Sequence, residues 1–385
     1  MQSGFADKSV LVGQFLSIQA AVPVRTEKGL KMKNIAVLGL GKVGTLASEL
    51  LSGCGFAVTG FDVNPKSSDL PFESKVVDLA DAETLSSEFA RVDAVLSCLP
   101  YHLNAAIADV AHRTGIHYFD LTEDVPTTKA IMELSKTSKG LMAPQCGLAP
   151  GFVGIVGASL IAEFDDCRSC RMRVGALPQN PTGLMGYSFN WSPEGVVNEY
   201  LNDCEVLEHG EIKSVSAMEW IEKLYIDGVE LEAFTTSGGL GTMCETYLGQ
   251  VPNIDYKTMR YPGHVQLMNF FFHELLMRDR RKEAGEILVN AKPPVDDDIV
   301  YIHVSAEGTK EYALARHEFV RGYRPVVIGG KQRTAIAWTT ASSVVAIIEM
   351  VRDGKLPKSG FLKQEDVPLA AFLETATGSA YAKNG

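Results

Sequence analysis

The chain has 385 residues, 46% of them hydrophobic and 22% charged, a balance that argues against disorder and suggests about two domains. A formal net charge of −11 argues against nucleic acid or an anionic membrane as the principal partner. The 7 cysteines are odd in number and scattered, as expected of reduced thiols in the cytoplasm; Cys167 and Cys170 form a C-x-x-C, but with no second pair or nearby histidine no metal site is expected.

In chain order, residues 1–31 read as an extension ahead of the first strand. Their mildly apolar stretch, 10–24, is broken by Gln14, Ser17 and Gln19, so no signal peptide is expected; no apolar run in the chain approaches the length of a membrane span. From Ile35 the pattern sharpens into an apolar run, the turn Gly39-Leu40-Gly41-Lys42-Val43-Gly44, an amphipathic helix, a second apolar run and Asp62. Each part suits a dinucleotide. Gly39 permits the tight turn, Gly41 lets backbone approach a pyrophosphate, and Gly44 lets the helix pack on the strand. The helix N-terminus, with Lys42 and Val43, offers unpaired N–H groups to the phosphates. Asp62 sits where a carboxylate accepts both ribose hydroxyls, which favours NAD over NADP.

Apolar runs at 35–39, 57–61, 75–77, 93–98 and 117–121 alternate with helical patterns near 43–53, 81–90, 103–114 and 127–138, which predicts a parallel sheet with helices on both faces. Asp78, after the third strand, suits an adenine contact or a helix N-cap. Beyond about residue 150 the pattern changes to strands at 168–178, 184–191, 212–219, 224–231 and 299–306, with helices at 266–278 and 280–288. An apolar helix rich in small residues follows at 335–352. The predicted fold is α/β: a Rossmann doubly wound parallel sheet over 32–125, completed by 335–385, with an inserted α+β catalytic domain over 126–334 built on a largely antiparallel sheet.

Four clusters carry candidate chemistry. Leu99, Pro100 and Tyr101 close the fourth strand beside the nicotinamide half of a dinucleotide cleft, with Tyr101 either over the substrate or in the wall. Asp120 and Glu123 end the fifth strand, where a carboxylate takes a proton from a substrate ammonium; capping the next helix is the other reading of Asp120. Residues 146–151 form a turn leading into a helix of small residues. In residues 256–264, Arg260, Tyr261 and His264 are packed into a turn fixed by Pro262 and Gly263. Arg260 suits a structural acid, and His264 suits proton transfer, capping or packing. Ser237, with the Gly238–Gly239 backbone, offers hydrogen bonds to the same pocket.

At these clusters the chain resembles the saccharopine dehydrogenase family, especially its shorter L-lysine 6-dehydrogenase-like members, from about residue 34 to about residue 360. The resemblance rests on Gly-Leu-Gly-Lys-Val-Gly at 39–44, Leu-Pro-Tyr at 99–101 and Gly-Leu-Ala-Pro-Gly at 147–151. It continues through Gly-Ala-Leu-Pro at 175–178, Phe-Asn-Trp-Ser-Pro-Glu-Gly at 189–195, Glu-Ala-Phe-Thr-Thr-Ser-Gly-Gly at 232–239 and Tyr-Lys-Thr-Met-Arg-Tyr-Pro-Gly-His at 256–264. It implies two domains, a homodimer, and chemistry at a carbon–nitrogen bond of lysine, saccharopine or a carboxylated polyamine. It also implies a second reading of Arg260, as the holder of a substrate α-carboxylate. Cys146, placed by the resemblance at the substrate, is similar to some saccharopine enzymes, whereas lysine-type members often carry another residue there. A saccharopine enzyme would need a second carboxylate clamp, for which Arg173, Lys257 and Arg278 are candidates.

Overall fold

A computed structural model describes residues 32–64, 66 and 69–383; the expected extension at 1–31 lies outside the described residues. Six parallel strands open the fold: β1 Asn34–Leu38, β2 Ala57–Asp62, β3 Glu73–Val76, β4 Ala94–Ser97, β5 His117–Asp120 and β6 Leu141–Ala143. Their order is β3-β2-β1-β4-β5-β6, and the late strand Gly360–Phe361 adds beyond β6. Such a sheet reverses direction between β1 and β4, and the strands' carboxyl ends open a crevice there. The central strands are buried on both faces, as their unbroken apolar runs require. The sheet continues past residue 125 to β6, because helix Val125–Ser135 makes one more crossover.

The second sheet is built from β7 Asp166–Pro178, β8 Cys204–Glu208, β9 Glu211–Val215, β10 Glu222–Ile226, β11 Val229–Thr235, β12 Asn253–Arg260, β13 Asp298–Lys310 and β14 Ala313–Tyr323. The main order is β10-β11-β12-β7-β13-β14, with β8 and β9 paired off β12. Every pairing is antiparallel except β12 with β7. Three sequence expectations change here. Residues 184–191 form no strand, although Tyr187 and Phe189 are buried in the second core. The run 224–231 is a hairpin turning at Asp227-Gly228. Residues 256–260, expected as part of a turn, belong to the central strand β12, Asn253–Arg260.

Helix Ala335–Arg352 joins the two sheets. Asp298, at the start of β13, accepts from the amides of Ala335 at 2.6 Å and Ile336 at 3.0 Å, which satisfies the helix N-terminus. The helix then packs along Lys42–Gly53, and Arg352 donates to the Cys54 carbonyl at 2.8 Å. By length and composition it could cross a membrane, contrary to the sequence expectation, but it is mostly buried inside the fold as a core helix.

Candidate functional site: a cleft between the two sheets

A cleft of about 510 Å³ opens where the carboxyl ends of the first sheet meet the second. Gly41, Lys42, Val43 and Gly44 form one side, and Leu99, Pro100 and Tyr101 continue it. Thr122 and Glu123 follow β5 into the cleft. Across from them stand Asn190 and Trp191, Glu199 of helix Pro193–Leu201, and Tyr256, Thr258 and Arg260 of β12.

The glycine turn fits a dinucleotide. A Cβ on Gly44 would lie 1.9 Å from the Gly39 carbonyl oxygen, so the close approach of helix to strand needs glycine there. At Gly41 a Cβ would meet nothing within 4 Å, which leaves open space directly above the backbone. No side chain caps the following helix, so its first amides are left to a ligand. Asp62 ends β2 and accepts from the amides of Leu40 and Asn64, each at 2.8 Å, with Lys66 at 3.2 Å. Burial works against its charge, but the two amides and Lys66 hold the carboxyl below the ordinary range. Asp78 lies exposed past β3, outside the cleft, and accepts from the Ala80 amide at 3.0 Å; the N-cap of the next helix is Asp81.

Arg260 is the centre of the opposite wall. Its Nε donates to the Tyr200 hydroxyl at 2.8 Å and its Nη1 to the Met259 carbonyl at 2.9 Å. No carboxylate among the described residues closes an ion pair with it. Glu123 and Glu199 are the acids of the cleft. Burial, and then the nearby Asp124, Asp120 and Glu194, push Glu123 up to about 7. Burial pushes Glu199 up to about 8, with the Glu123 charge adding and Arg260 opposing.

Two residues expected to move protons do not reach the cleft. Asp120 is fully buried beneath it and accepts from Tyr118 Oη at 2.7 Å and from the amides of Thr122 at 3.0 Å and Gln145 at 2.9 Å. Its lone pairs serve to bring the ends of β5 and β6 together; burial nevertheless raises it to about 6. His264 stands behind Tyr200. One ring nitrogen meets the Tyr200 hydroxyl at 3.0 Å and the other the Met185 carbonyl at 3.0 Å. Burial, and then the Arg260 charge, push it down to about 3, so it stays neutral and steadies Tyr200.

Three expected substrate contacts also sit one layer back. Ser237 donates its amide to the Glu199 carbonyl at 3.1 Å. Gly238 packs on Glu123: a Cβ there would lie 2.4 Å from the Glu123 carbonyl oxygen. The Cys146 thiol donates to the Ala143 carbonyl at 3.1 Å and meets Gln364 Nε2 at 3.3 Å, under the floor that Gly147 exposes. None of the candidates for a second carboxylate clamp reaches the cleft. Arg173 pairs with Glu222 and Asp255, Lys257 pairs with Glu222 at 2.9 Å, and Arg278 is exposed beside Asp279. Glu199 was missed in the sequence, although its spacing was a signal: it lies three residues after Val196, on the helix's buried stripe.

Comparison with known proteins agrees with this architecture. A family model described as saccharopine dehydrogenase C-terminal domain matches residues 147–377, and one described as saccharopine dehydrogenase NADP binding domain matches residues 35–143. The chain is 24% identical over 302 residues to saccharopine dehydrogenase [NADP(+), L-glutamate-forming] of Pyricularia oryzae, covering 71% of this chain and 66% of that protein. It is 24% identical over 259 residues to the mitochondrial alpha-aminoadipic semialdehyde synthase of Rattus norvegicus, covering 62% of this chain and 28% of that one. Among solved structures, apo histidine-tagged saccharopine dehydrogenase (L-Glu forming) from Saccharomyces cerevisiae shares the fold, with a TM-score of 0.70 at 17% identity, covering 91% of this chain and 97% of that one.

Proposed function

This chain belongs to the saccharopine dehydrogenase family, and from that premise we propose that it is an NAD-dependent dehydrogenase acting on the ε-amine of L-lysine, giving the 6-semialdehyde and ammonia. The observation that carries this reading is that Arg260, from the second sheet, lines the same cavity as the glycine turn of the first.

The turn at 39–44 and Asp62 would hold a dinucleotide, which would supply a two-electron acceptor for hydride. The chain's own residues do the rest. Arg260 binds the α-carboxylate through a charge-assisted, two-pronged contact. Glu123 takes a proton from the ε-ammonium, because only a neutral amine has the lone pair that expels hydride from its carbon. The substrate carbon–hydrogen bond breaks, and its electron pair leaves with the hydride while the amine becomes an iminium. Glu123 then helps water add to the iminium carbon, and ammonia departs. Tyr101 stands at the first-sheet side of the cleft, where it positions the nitrogen.

Lysine is preferred over saccharopine because Lys42 and Arg260 are the only cations lining the described cleft, and Lys42 belongs to the glycine turn. Saccharopine brings several carboxylates to a wall that offers one guanidinium and two acids. The names of the curated relatives favour saccharopine, which makes it the second reading. NAD is preferred because an ionised Asp62 repels a 2′-phosphate, although the matching domain model is named for NADP.

The test is direct: incubate the protein with NAD or NADP and with L-lysine or saccharopine, and follow absorbance at the reduced cofactor's band. Reduction with L-lysine and NAD supports the proposal. Reduction with saccharopine alone replaces the substrate, and reduction with neither overturns both substrates and favours a carboxylated polyamine or a cofactor-binding protein without turnover.

A further inference from the structure

Helix Pro193–Leu201 places a carboxyl group in a position that ordinarily holds an apolar side chain. Val196, Val197 and Tyr200 are buried on that face, and Glu199 joins them with 6% exposure. Carboxylates are seldom this buried without a partner, since leaving water is costly. Among the described residues the Glu199 carboxyl has neither a hydrogen-bond donor nor an ion-pair partner, and it lines the cleft. Its neighbour on that wall is Arg260, 3% exposed. Three of the five guanidinium N–H groups are directed at Tyr200, Met259 and Tyr187, the last at a long 3.4 Å. The opposite charges of Arg260 and Glu199 sense one another, yet they do not close an ion pair. Two complementary groups thus line the same cleft, each with bonding capacity left over.

The geometry points to Arg260 and Glu199 as a paired subsite for the head group of an α-amino acid, the guanidinium taking the carboxylate and Glu199 taking the α-ammonium. This rests on reading the cleft as the substrate site, and it adds a selection rule: zwitterionic head groups are preferred over plain carboxylates and over diamines. The rule is the same for lysine and for any lysine derivative that keeps its α-carbon free. Burial supports it, because a carboxyl pushed up to about 8 holds its proton at neutral pH until a cation arrives, and then releases it.

Calorimetric titration of the intact protein with L-lysine, 6-aminohexanoate and cadaverine tests the subsite without needing turnover. 6-Aminohexanoate lacks the α-ammonium, and cadaverine lacks the carboxylate. The wild type is expected to bind lysine at least ~30-fold more tightly than either analogue, in line with one buried charge-assisted bond per missing group. Glu199→Gln should bring lysine down to the affinity of 6-aminohexanoate, whose own binding should change less than about threefold. A lysine preference that survives in Glu199→Gln, or an equal loss for both ligands, overturns the subsite, as does a wild type that binds none of the three. Should the variant not fold, the wild type still decides: at pH 7, repeated in buffers of different ionisation enthalpy, lysine should release nearly one proton more than 6-aminohexanoate, and equal release refutes the pairing. The two readings fail separately. Selective binding without cofactor reduction removes the dehydrogenase and keeps the subsite, whereas turnover with unchanged selectivity in Glu199→Gln does the reverse.

Discussion

The Arg260 guanidinium lies 4.4 Å from the centroid of the Tyr187 ring. Together with the bond from Nε to the Tyr200 hydroxyl, that stack fixes both the plane and the direction of the fork. His264, held by the Met185 carbonyl, fixes Tyr200 in turn. The arrangement specifies arginine, because a lysine ammonium presents neither a plane to stack nor two parallel donors.

Arg260→Lys should therefore raise the Michaelis constant for the amino-acid substrate by ~10–100-fold, the cost of about 1.5–3 kcal/mol for a hydrogen bond to a charged group, while kcat falls much less. Steady-state kinetics at saturating cofactor separate the two. An unchanged Michaelis constant would mean that the carboxylate is held elsewhere.

Glu123 should set the pH profile. A base works only when deprotonated, so kcat/KM should rise with pH through about 7, and the proton that Glu199 gives up when lysine binds should carry the rise on through about 8. Glu123→Gln should lower kcat by roughly 100-fold or more and remove the limb near 7, leaving the one near 8. If the limb near 7 persists in the variant, it belongs to another group, and the proton goes to a different acceptor.

Asp62→Ser should move cofactor preference from NAD toward NADP. The carboxylate is held ionised by the Leu40 and Asn64 amides, so removing it removes the charge that a 2′-phosphate would meet. Lys66, now 3.2 Å from Asp62, is then free to attract that phosphate. The ratio of kcat/KM for the two cofactors measures the change, and an unaltered ratio would show that the ribose lies away from Asp62.

The nucleotide half was legible in the sequence because its rules are local. Strand, glycine turn, helix, strand and acid follow one another within residues 34–62, and each reports its own backbone need. Helix Ala335–Arg352 was legible for the same reason, through its run of small and apolar residues. Strand β12 was not. Its Lys257 and Arg260 read as residues of a turn, and only Glu222, Tyr200 and Tyr187, from other parts of the chain, let them lie in a buried strand by accepting their hydrogen bonds. The same non-local packing misled the reading of His264, which is chemically able but walled off behind Tyr200. Asp120 drew attention as a carboxylate at a strand end, a pattern shared by catalytic acids and by acids that bind loop amides. What distinguishes it from Glu123 is depth, which depends on the loops that cover it, with Gly238 among those lying against Glu123.

Two glycines of one turn should respond in opposite ways to the same methyl group. At Gly44 a Cβ would fall 1.9 Å from the Gly39 carbonyl oxygen and 3.2 Å from the Cys98 Cβ. Backbone cannot yield there without pushing the helix off β1, so Gly44→Ala should cost at least the ~1–3 kcal/mol of stability typical of overpacking and lower Tm. At Gly41, φ is −75° and a Cβ would have no neighbour within 4 Å, so Gly41→Ala should keep the wild-type Tm. The methyl group would instead occupy the space through which a pyrophosphate reaches the helix amides, and dinucleotide affinity should fall ~10-fold or more. Thermal melting paired with cofactor titration reads both effects. A Gly41→Ala protein that binds NAD and NADP as the wild type does would place the phosphates away from this turn, because folding gives no other reason for a bare Cα at that point.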